Sequence, residues 1–449
     1  MKSKLIFSLL IIGASFVSKA QSSVIDQYIK IGLEQNLGLE QKRISLEQAH
    51  LGLDESRGGL LPSLDFKSRY TRATGGRDFV IPTGDLMNPV YTALNNISGE
   101  NRFPQIENDV LNFNRKTDID TRLTLSQPLF DRRLWLGKNI SEEQIKIQQE
   151  DVAIQKRLVV AEIKKGYFNY LKSIQVLELL ESTRGLAEEN LRVSESLFKN
   201  DKVTQDVVWR AKSDVSEIEF QIAQAEKNRN VSSSYFNFLL NRELASPIEV
   251  VLLDQELPAV SGKEVNPQAR EEWNQLEHGK KANQLQAELS GAQNLPNLYA
   301  AVDYGFQGTE YTFNKNSDYT LASLVLSWNI FGGGQNKAKK QQAILESQKL
   351  SVQQRELSNS IELEAIQSYY AYQESFKNRV TTTDHEKEAT ETYRLVERKF
   401  KEGLATQVEL MDARNNLTTA SLQKIISHYD LWIAFTDHER ATAGYLFDN

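Results

Sequence analysis

Two carboxylates near the end of the sequence have a spacing that could support ion binding. Glu409 and Asp412 are three residues apart, so they share one face if the segment is helical. Several such pairs held close together would repel one another, raise each other's pKa and attract cations. The spacing by itself favours a simpler interpretation, a solvated helix face, because 25% of the chain is charged. In the internal repeat described below, Val207 and Arg210 take these positions, so the acidic pair occurs once per chain.

The other candidate groups do not form a catalytic pattern. Gly332, Gly333 and Gly334 lack the Lys and Ser or Thr of a phosphate-binding loop, and they predict a hinge between a strand and a helix. The five His are scattered, without the H-E-x-x-H spacing of a zinc site. The sequence has 0 Cys and no G-x-S-x-G motif. We therefore expect no catalytic residues, no cofactor and no metal site.

The first twenty residues have the pattern of a secretory signal peptide. Lys2 and Lys4 precede an apolar run over residues 5–17, and Ser18 and Ala20 are small residues before a predicted cleavage site. Removing residues 1–20 also removes Lys19, which leaves the chain three charges more negative than −7. This acidic balance argues against nucleic acid as a partner. We also predict no transmembrane helix, since no later stretch holds eighteen consecutive apolar residues.

The sequence contains an internal duplication. Tyr167 recurs as Tyr369, and Phe198 recurs as Phe400, in each case 202 positions later. Each copy reads as a helix, two strands joined by a loop, a long helix, a tight turn and a last helix. The predicted organisation is a signal peptide at 1–20, repeat one at 21–240 with a long loop at 73–117 and a tip turn at 200–204, a connector at 241–266, and repeat two at 267–449 with a short loop at 308–318 and a tip turn at 402–406.

The predicted helices are too long to lie within a membrane. Residues 133–200 and 335–402 contain no Pro, and a helix of that length extends about 100 Å. A bilayer is only about 40–45 Å thick. The helices after the tip turns carry heptad stripes, with large residues on one stripe and mostly small residues on the other. The stripes alone favour an ordinary two-helix coiled coil.

Four short segments alternate between apolar and polar residues with the period of a strand. Tyr70, Tyr304, Tyr319 and Trp328 lie near strand ends, where transmembrane barrels carry aromatic girdles. A half-buried strand of a soluble sheet has the same period, but export favours the barrel. The predicted lipid-facing residues are Leu64, Phe66, Tyr70, Ile119, Leu123, Leu125, Val302, Tyr304, Phe306, Leu324, Leu326 and Trp328.

Four strands are too few to close a barrel, because the smallest known membrane barrels have about eight. Open sheet edges are not tolerated in lipid, so several copies of the chain must share one barrel. Two copies would supply eight strands and three copies twelve, and the strand count does not decide between them. The 73–117 loop is rich in Gly, Asn and Pro and is predicted to be extracellular.

Four segments resemble the TolC-like outer-membrane efflux protein family. They are GGLLPSL at 58–64, SQPLFD at 126–131, FKEGLAT at 400–406 and ELMDA at 409–413. No single motif is specific, but their order, spacing and duplication extend the resemblance over nearly the whole mature chain.

This resemblance implies a fold that is mainly α with a transmembrane β part: a twelve-stranded barrel and a twelve-helix periplasmic tunnel, both shared in a homotrimer. It implies an outer-membrane exit duct of a tripartite efflux or type I secretion system. The implied partners are a periplasmic adaptor protein, an inner-membrane pump of the RND or ABC type, and outer-membrane lipid. The main alternative is a periplasmic coiled-coil scaffold without a pore, and a minor one is a surface receptor that uses the 73–117 loop.

The resemblance also implies roles for residues near the two tip turns. A periplasmic gate would involve Glu409, Asp412 and Phe400. Some family members lock this end with a Tyr and an Arg, where this sequence has Phe400 and Ala405, and Asp201 stands where repeat two has Gly403. The adaptor would dock on Asn200, Asp201, Lys202, Val203, Thr204, Glu402, Gly403, Leu404, Ala405 and Thr406.

Overall fold

The computed structural model describes residues 24–112, 114–251, 257, 260, 262, 265–445 and 447. The predicted signal peptide at 1–20 and part of the predicted connector lie outside these residues. Among them, no helix is both long enough and apolar enough to cross a membrane. The described elements are α1 (Val24–Gln35), α2 (Leu37–Gly58), β1 (Ser63–Arg72), β2 (Asp78–Ile81), α3 (Thr83–Ser98), β3 (Asp109–Asn112), β4 (Thr117–Phe130), α4 (Arg132–Lys199), α5 (Gln205–Leu239), α6 (Glu271–Ala292), β5 (Asn297–Gly308), β6 (Asp318–Ser327), α7 (Gln335–Lys401) and α8 (Gln407–Ala441).

The chain divides into two compact units. In described residues, the helical unit comprises 24–48, 146–278 and 350–447, and the sheet unit comprises 49–145 and 279–349. The helical unit therefore holds both tip turns and most of the long helices, whereas the sheet unit holds every described strand.

An aromatic cluster forms the core of the helical unit. Tyr28 of α1 packs edge-on against Phe236 of α5, with ring centroids 5.0 Å apart, and both rings contact Tyr167 of α4. The Tyr167 hydroxyl donates to the carbonyl of Glu249 at 3.0 Å, and the Glu249 N–H donates to the Tyr28 hydroxyl. Burying a large apolar side chain stabilises a fold by about 1.5–3 kcal/mol, so this cluster anchors the chain after α5 to three helices.

The heptad residues of α5 and α8 line buried seams. In α5, Ala211, Ile218 and Ala225 are buried, and the last two belong to a cluster with Leu177 and Leu180 of α4. Small residues allow close approach of the helix axes. In α8, Leu410, Ala413, Ala420, Leu431 and Ala434 are buried.

The four longer strands form one antiparallel sheet in the order β1-β4-β5-β6. The central pair, β4 and β5, joins the strands that come from the two halves of the sequence. A register shift separates Pro128 from Phe130 in β4, at the residue that has no N–H to donate to the ladder. Strands β1 and β6 are left as the outer strands of this sheet.

The segment predicted as a loop at 73–117 contains ordered secondary structure. Strands β2 and β3 pair within it, and α3 lies between them. Asn88 exchanges two hydrogen bonds of 2.9 Å with the backbone of Ile106, and Asn95 exchanges two with the backbone of Phe103. The Asn residues that indicate a loop in the sequence therefore attach the returning chain to a helix.

Candidate functional site

The register of the sheet brings the predicted lipid-facing residues of β1, β4, β5 and β6 to one face. Leu64 pairs with Leu125, Phe66 pairs with Leu123, and Leu123 also pairs with Tyr304. Directly opposed residues of an antiparallel pair point to the same face. Phe66 is 70% exposed and Leu324 of β6 is 72% exposed, so this face exposes large apolar side chains, with the bonded hydroxyls of Ser68 and Thr121 among them.

Ile119, which was expected to face lipid, and Tyr319, which was expected in an aromatic girdle, have different surroundings in the structure. Ile119 has the correct register but is only 5% exposed, because it lines a small cleft with Phe306 and with Tyr311 and Phe313 of the β5–β6 loop. Tyr319 pairs with Gly305 and points to the opposite face, where its hydroxyl donates to Asp120 at 2.9 Å. Its expected place in an aromatic girdle is wrong, because position 319 pairs with Gly305 and faces the side of the sheet that carries Asp120.

The opposite face of the sheet carries a connected group of charged residues. Asp120 of β4 accepts from Arg122 at 2.5 Å and lies 3.7 Å from Arg69 of β1. The Arg122 Nε lies 4.0 Å from Asp303 of β5, and the Thr124 hydroxyl donates to Asp303 at 2.5 Å. Three strands thus share one ion-pair network, which satisfies charges that would be costly if they were unpaired.

Gly305 allows this network to cross from β4 to β5. A Cβ atom at this position would lie 2.6 Å from the Cβ of Arg122 and 2.6 Å from the carbonyl oxygen of Thr121. No side chain fits at that distance without moving the backbone of β4. The glycine therefore makes room for the Arg122 side chain on the polar face.

The junction between the sheet and the long helix is fixed by the SQPLFD segment. Asp131 caps the start of α4, since its carboxylate accepts from the backbone N–H of Arg133 at 3.0 Å. It also accepts from the Arg133 guanidinium and from the hydroxyl of Tyr299 at 2.7 Å. Gln127 donates to the carbonyl of Leu60 at 2.9 Å, which ties this segment to the GGLLPSL segment.

The two tip turns share one backbone geometry. Asp201 has φ of 59° and Gly403 has φ of 75°, so both adopt the left-handed conformation that ends a helix. The N–H of the next residue then reaches back to the helix, from Lys202 to the Leu197 carbonyl and from Leu404 to the Lys399 carbonyl. Asp tolerates the left-handed region better than most residues, which explains how repeat one turns without glycine.

The predicted docking residues of the tips are mostly exposed. Leu404 is 74% exposed and is the most exposed large apolar side chain at either tip, whereas Val203 and Ala405 are half-buried. The other members of the predicted set are exposed. The second tip therefore presents an apolar side chain where the first presents Lys202.

Glu409 has a structural role that its spacing does not reveal. It forms a capping box with Thr406: its carboxylate accepts from the Thr406 N–H at 2.6 Å, and its own N–H donates to the Thr406 hydroxyl. The hydrogen bond from the Thr406 N–H lowers the pKa of Glu409. The cap is therefore present above the ordinary pKa of a Glu and is lost as the pH falls through this lowered value.

The other predicted gate residues lie close to the second turn. Asp412 is exposed on α8, three residues beyond Glu409. Phe400 is half-buried at the end of α7, and its carbonyl accepts from the Gly403 N–H at 3.0 Å. Within one chain these residues are neighbours but do not enclose a space.

A buried polar cluster near the tips is absent from the sequence prediction. Arg414 of α8 forms an ion pair with Asp214 of α5, and their side chains are 3% and 8% exposed. Gln407 donates to the Ser194 hydroxyl of α4 at 3.0 Å, and Asn190 lies buried on the same helix. The sequence feature that could have indicated this cluster is a charged residue directly beside a heptad residue: Arg414 follows Ala413, and Asp214 precedes Val215.

Comparisons with known proteins agree with this geometry. Residues 268–437 match the family model described as outer membrane efflux protein. The alkaline protease secretion protein AprF of Pseudomonas aeruginosa is 20% identical over 343 residues, which is 72% of this chain and 70% of AprF. The predicted resemblance to the TolC-like outer membrane efflux family is confirmed.

Solved structures show the same fold for this TolC-like chain. The CmeC outer membrane channel of Campylobacter jejuni has a TM-score of 0.78 at 16% identity, covering 94% of this chain and 86% of CmeC. The open state of the MtrE outer membrane channel of Neisseria gonorrhoeae has a TM-score of 0.74 at 18% identity, covering 93% of this chain and 88% of MtrE. The fold class predicted from the sequence, mainly long helices with a small set of strands, is therefore confirmed.

The buried pair near the tips yields a stability prediction. Asp214→Leu should weaken the packing of α5 against α8 by about 3–5 kcal/mol, because it removes the carboxylate that pairs with the buried Arg414 guanidinium and leaves it the neutral amide oxygen of Asn415. The double variant Asp214→Leu with Arg414→Met should cost less, since no charge then stays buried. Hydrogen–deuterium exchange of α5 and α8 measures the opening free energy directly.

The exposed pair between Arg394 and Glu391 provides the matched control, because both side chains are 57% exposed. Glu391→Leu should leave exchange unchanged. Equal exchange in Asp214→Leu and Glu391→Leu would show that the buried pair does not hold the two helices together.

Proposed function

We propose that this chain is one protomer of an outer-membrane exit duct, through which an inner-membrane pump expels its substrates. The observation that carries the proposal is the sheet, which has an exposed apolar face, a charged face and two outer strands. The likeness to the CmeC and MtrE channels supports it. The duct supplies a passive path, and no catalytic step is assigned to this chain; the related channels are not enzymes.

Closure of the barrel requires other copies of the chain. Strands β1 and β6 each pair on one side only within the described sheet. In lipid an unpaired backbone N–H or C=O costs several kcal/mol, so β1 of one copy would pair with β6 of the next. Three copies would give twelve strands, and relatives in the family form trimers. The charged face would then line the passage, and the apolar face would contact lipid.

The partners are proposed to be a periplasmic adaptor and an inner-membrane pump, since members of the family act with such proteins. The adaptor would dock at the tip turns, where the exposed Leu404 offers an apolar contact. AprF is named for the secretion of an alkaline protease, which makes a polypeptide one candidate cargo here.

The duct proposal predicts how the apolar face responds to charge. Phe66→Arg should reduce the amount of protein assembled in the outer membrane, because an Arg facing lipid near the midplane costs about 2–4 kcal/mol. Thr71→Arg, on the polar face of the same strand, should assemble normally. Membrane fractionation and conductance in planar bilayers measure both outcomes. A periplasmic scaffold without a pore would tolerate Phe66→Arg and remain soluble without detergent.

The docking proposal can be tested with single thiols, because the chain has 0 Cys. Leu404→Cys with a thiol-reactive cross-linker should capture a periplasmic protein with a helical hairpin, identified by mass spectrometry. Lys387→Cys, at an exposed position on α7 away from the tip, is the control. The docking site is wrong if Leu404→Cys gives no adduct or if both variants give the same one.

The gate proposal concerns Glu409 and Asp412, which would form two rings of three carboxylates in a trimer. Glu409→Gln with Asp412→Asn should reduce cation selectivity in planar bilayers and weaken block by multivalent cations. Gln at position 409 retains the capping box, so the change removes charge and preserves the turn.

Two controls separate charge from structure in this experiment. Glu409→Ala removes the charge and the capping bonds together, so it should also loosen the start of α8. Asp384→Asn neutralises an exposed acid elsewhere on α7 and should leave selectivity unchanged. Wild-type selectivity in the Gln and Asn double variant would assign both carboxylates to the solvated surface.

A further inference from the structure

Helix α3, in the insertion between β1 and β4, has two faces of different character. The inner face is fixed to the chain that returns from the helix. Asn88 and Asn95 bond the backbone there, and Tyr91 stacks on Phe103 with ring centroids 5.8 Å apart. A Cβ at Gly84 would lie 2.4 Å from the carbonyl oxygen of Ile106, so the first turn also lies tightly against this segment. These contacts fix which side of α3 points outward.

The outer face is apolar and lacks cover in the described chain. Ile97 is 83% exposed, Leu86 is 68% exposed and Val90 is 48% exposed, and Ala93 is exposed between them. Exposure of this degree is unusual for apolar residues that are aligned on a single helix face. The face therefore indicates a partner surface.

The spacing on this face is that of a coiled-coil seam. Leu86, Val90, Ala93 and Ile97 are separated by four, three and four residues, which places them at successive core positions of a heptad. The only charged residue of the sixteen in α3 is Asp85, in the first turn. A seam with β-branched residues at alternate core positions is suited to packing against an identical helix.

Charge argues against an anionic lipid surface as the partner. The basic residues between β1 and β4 are Arg77, Arg102, Arg115 and Lys116. Arg102 is bonded to Glu100, and Arg115 lies 3.8 Å from Asp118. None of the four lies on α3, so the helix itself supplies no basic residue for phosphate groups.

The position of the insertion indicates a second copy of the chain. Its two ends are the last residue of β1 and the first residue of β4. Strand β1 is an outer strand of the sheet, and the proposed barrel would join it to the next copy. Every insertion would then stand at the same mouth of the barrel. Short tethers give effective concentrations of about millimolar, which assists association of a seam only two heptads long.

We propose that α3 packs against α3 of the other copies through the seam of Leu86, Val90, Ala93 and Ile97, and forms a small helical bundle at the extracellular mouth. This inference rests on the proposed shared barrel. The insertions would then hold the copies together in addition to the paired strand edges. The bundle would also narrow the passage with apolar side chains where it leaves the barrel.

The test uses cross-linking of the full-length protein in outer membranes. Ile97→Cys with a short bis-maleimide should give covalent dimers, because the seam brings these positions together. Ser98→Cys is the matched control, because this exposed neighbour lies about 100° around the helix from Ile97. It should give several times less product. Val90→Cys repeats the test at a second seam position, in case Ile97→Cys assembles poorly.

The oligomeric state of the unmodified protein in detergent separates this inference from the duct proposal. A monomeric unmodified protein would overturn the shared barrel itself. An assembled protein in which neither seam variant cross-links, or in which Ser98→Cys reacts equally, would overturn the α3 contact alone. If lipid covers the seam, the protein would be assembled and neither seam variant would cross-link.

Discussion

Backbone hydrogen bonding at the edges of the sheet is the constraint on which the other features of the sheet unit depend. Strands β1 and β6 each have one unpaired side, and the sheet exposes an apolar face with side chains such as Phe66 and Leu324. Water would satisfy the edges but not the apolar face, and lipid would satisfy the face but not the edges. A closed set of copies in lipid would satisfy both, which is the physical basis of the proposed shared barrel.

The two faces of the sheet differ in character: one exposes apolar side chains, and the other carries ion pairs. The polar face pairs its buried acid internally, since Asp120 contacts Arg122, Arg69 and Tyr319, and Gly305 provides the space for Arg122. A passage lined by paired charges exerts a weaker field on a passing ion than unpaired charges would.

The two tips show how one backbone geometry is reached with different chemistry. Asp201 and Gly403 make the same left-handed turn, but only the second turn is followed by a capping box, between Thr406 and Glu409. The tips also differ in their exposed residues, Lys202 in the first and Leu404 in the second, although the helices that lead to them have nearly equal lengths. The buried pair of Arg414 and Asp214 joins α8 to α5 by a contact that is costly to break.

The sequence by itself determined the long helices and the faces of most residues in the four-stranded sheet. Long segments without Pro specify α4 and α7, and the period of two assigns Leu64, Leu125 and Tyr304 to a common face, because both signals depend on local geometry. Tertiary structure decided what covers each residue: the β5–β6 loop buries Ile119, Asn88 attaches α3 to the chain near Ile106, and Arg414 pairs with Asp214. These outcomes depend on contacts between residues far apart in the sequence, and the period of a local segment carries no information about which distant side chain it will meet.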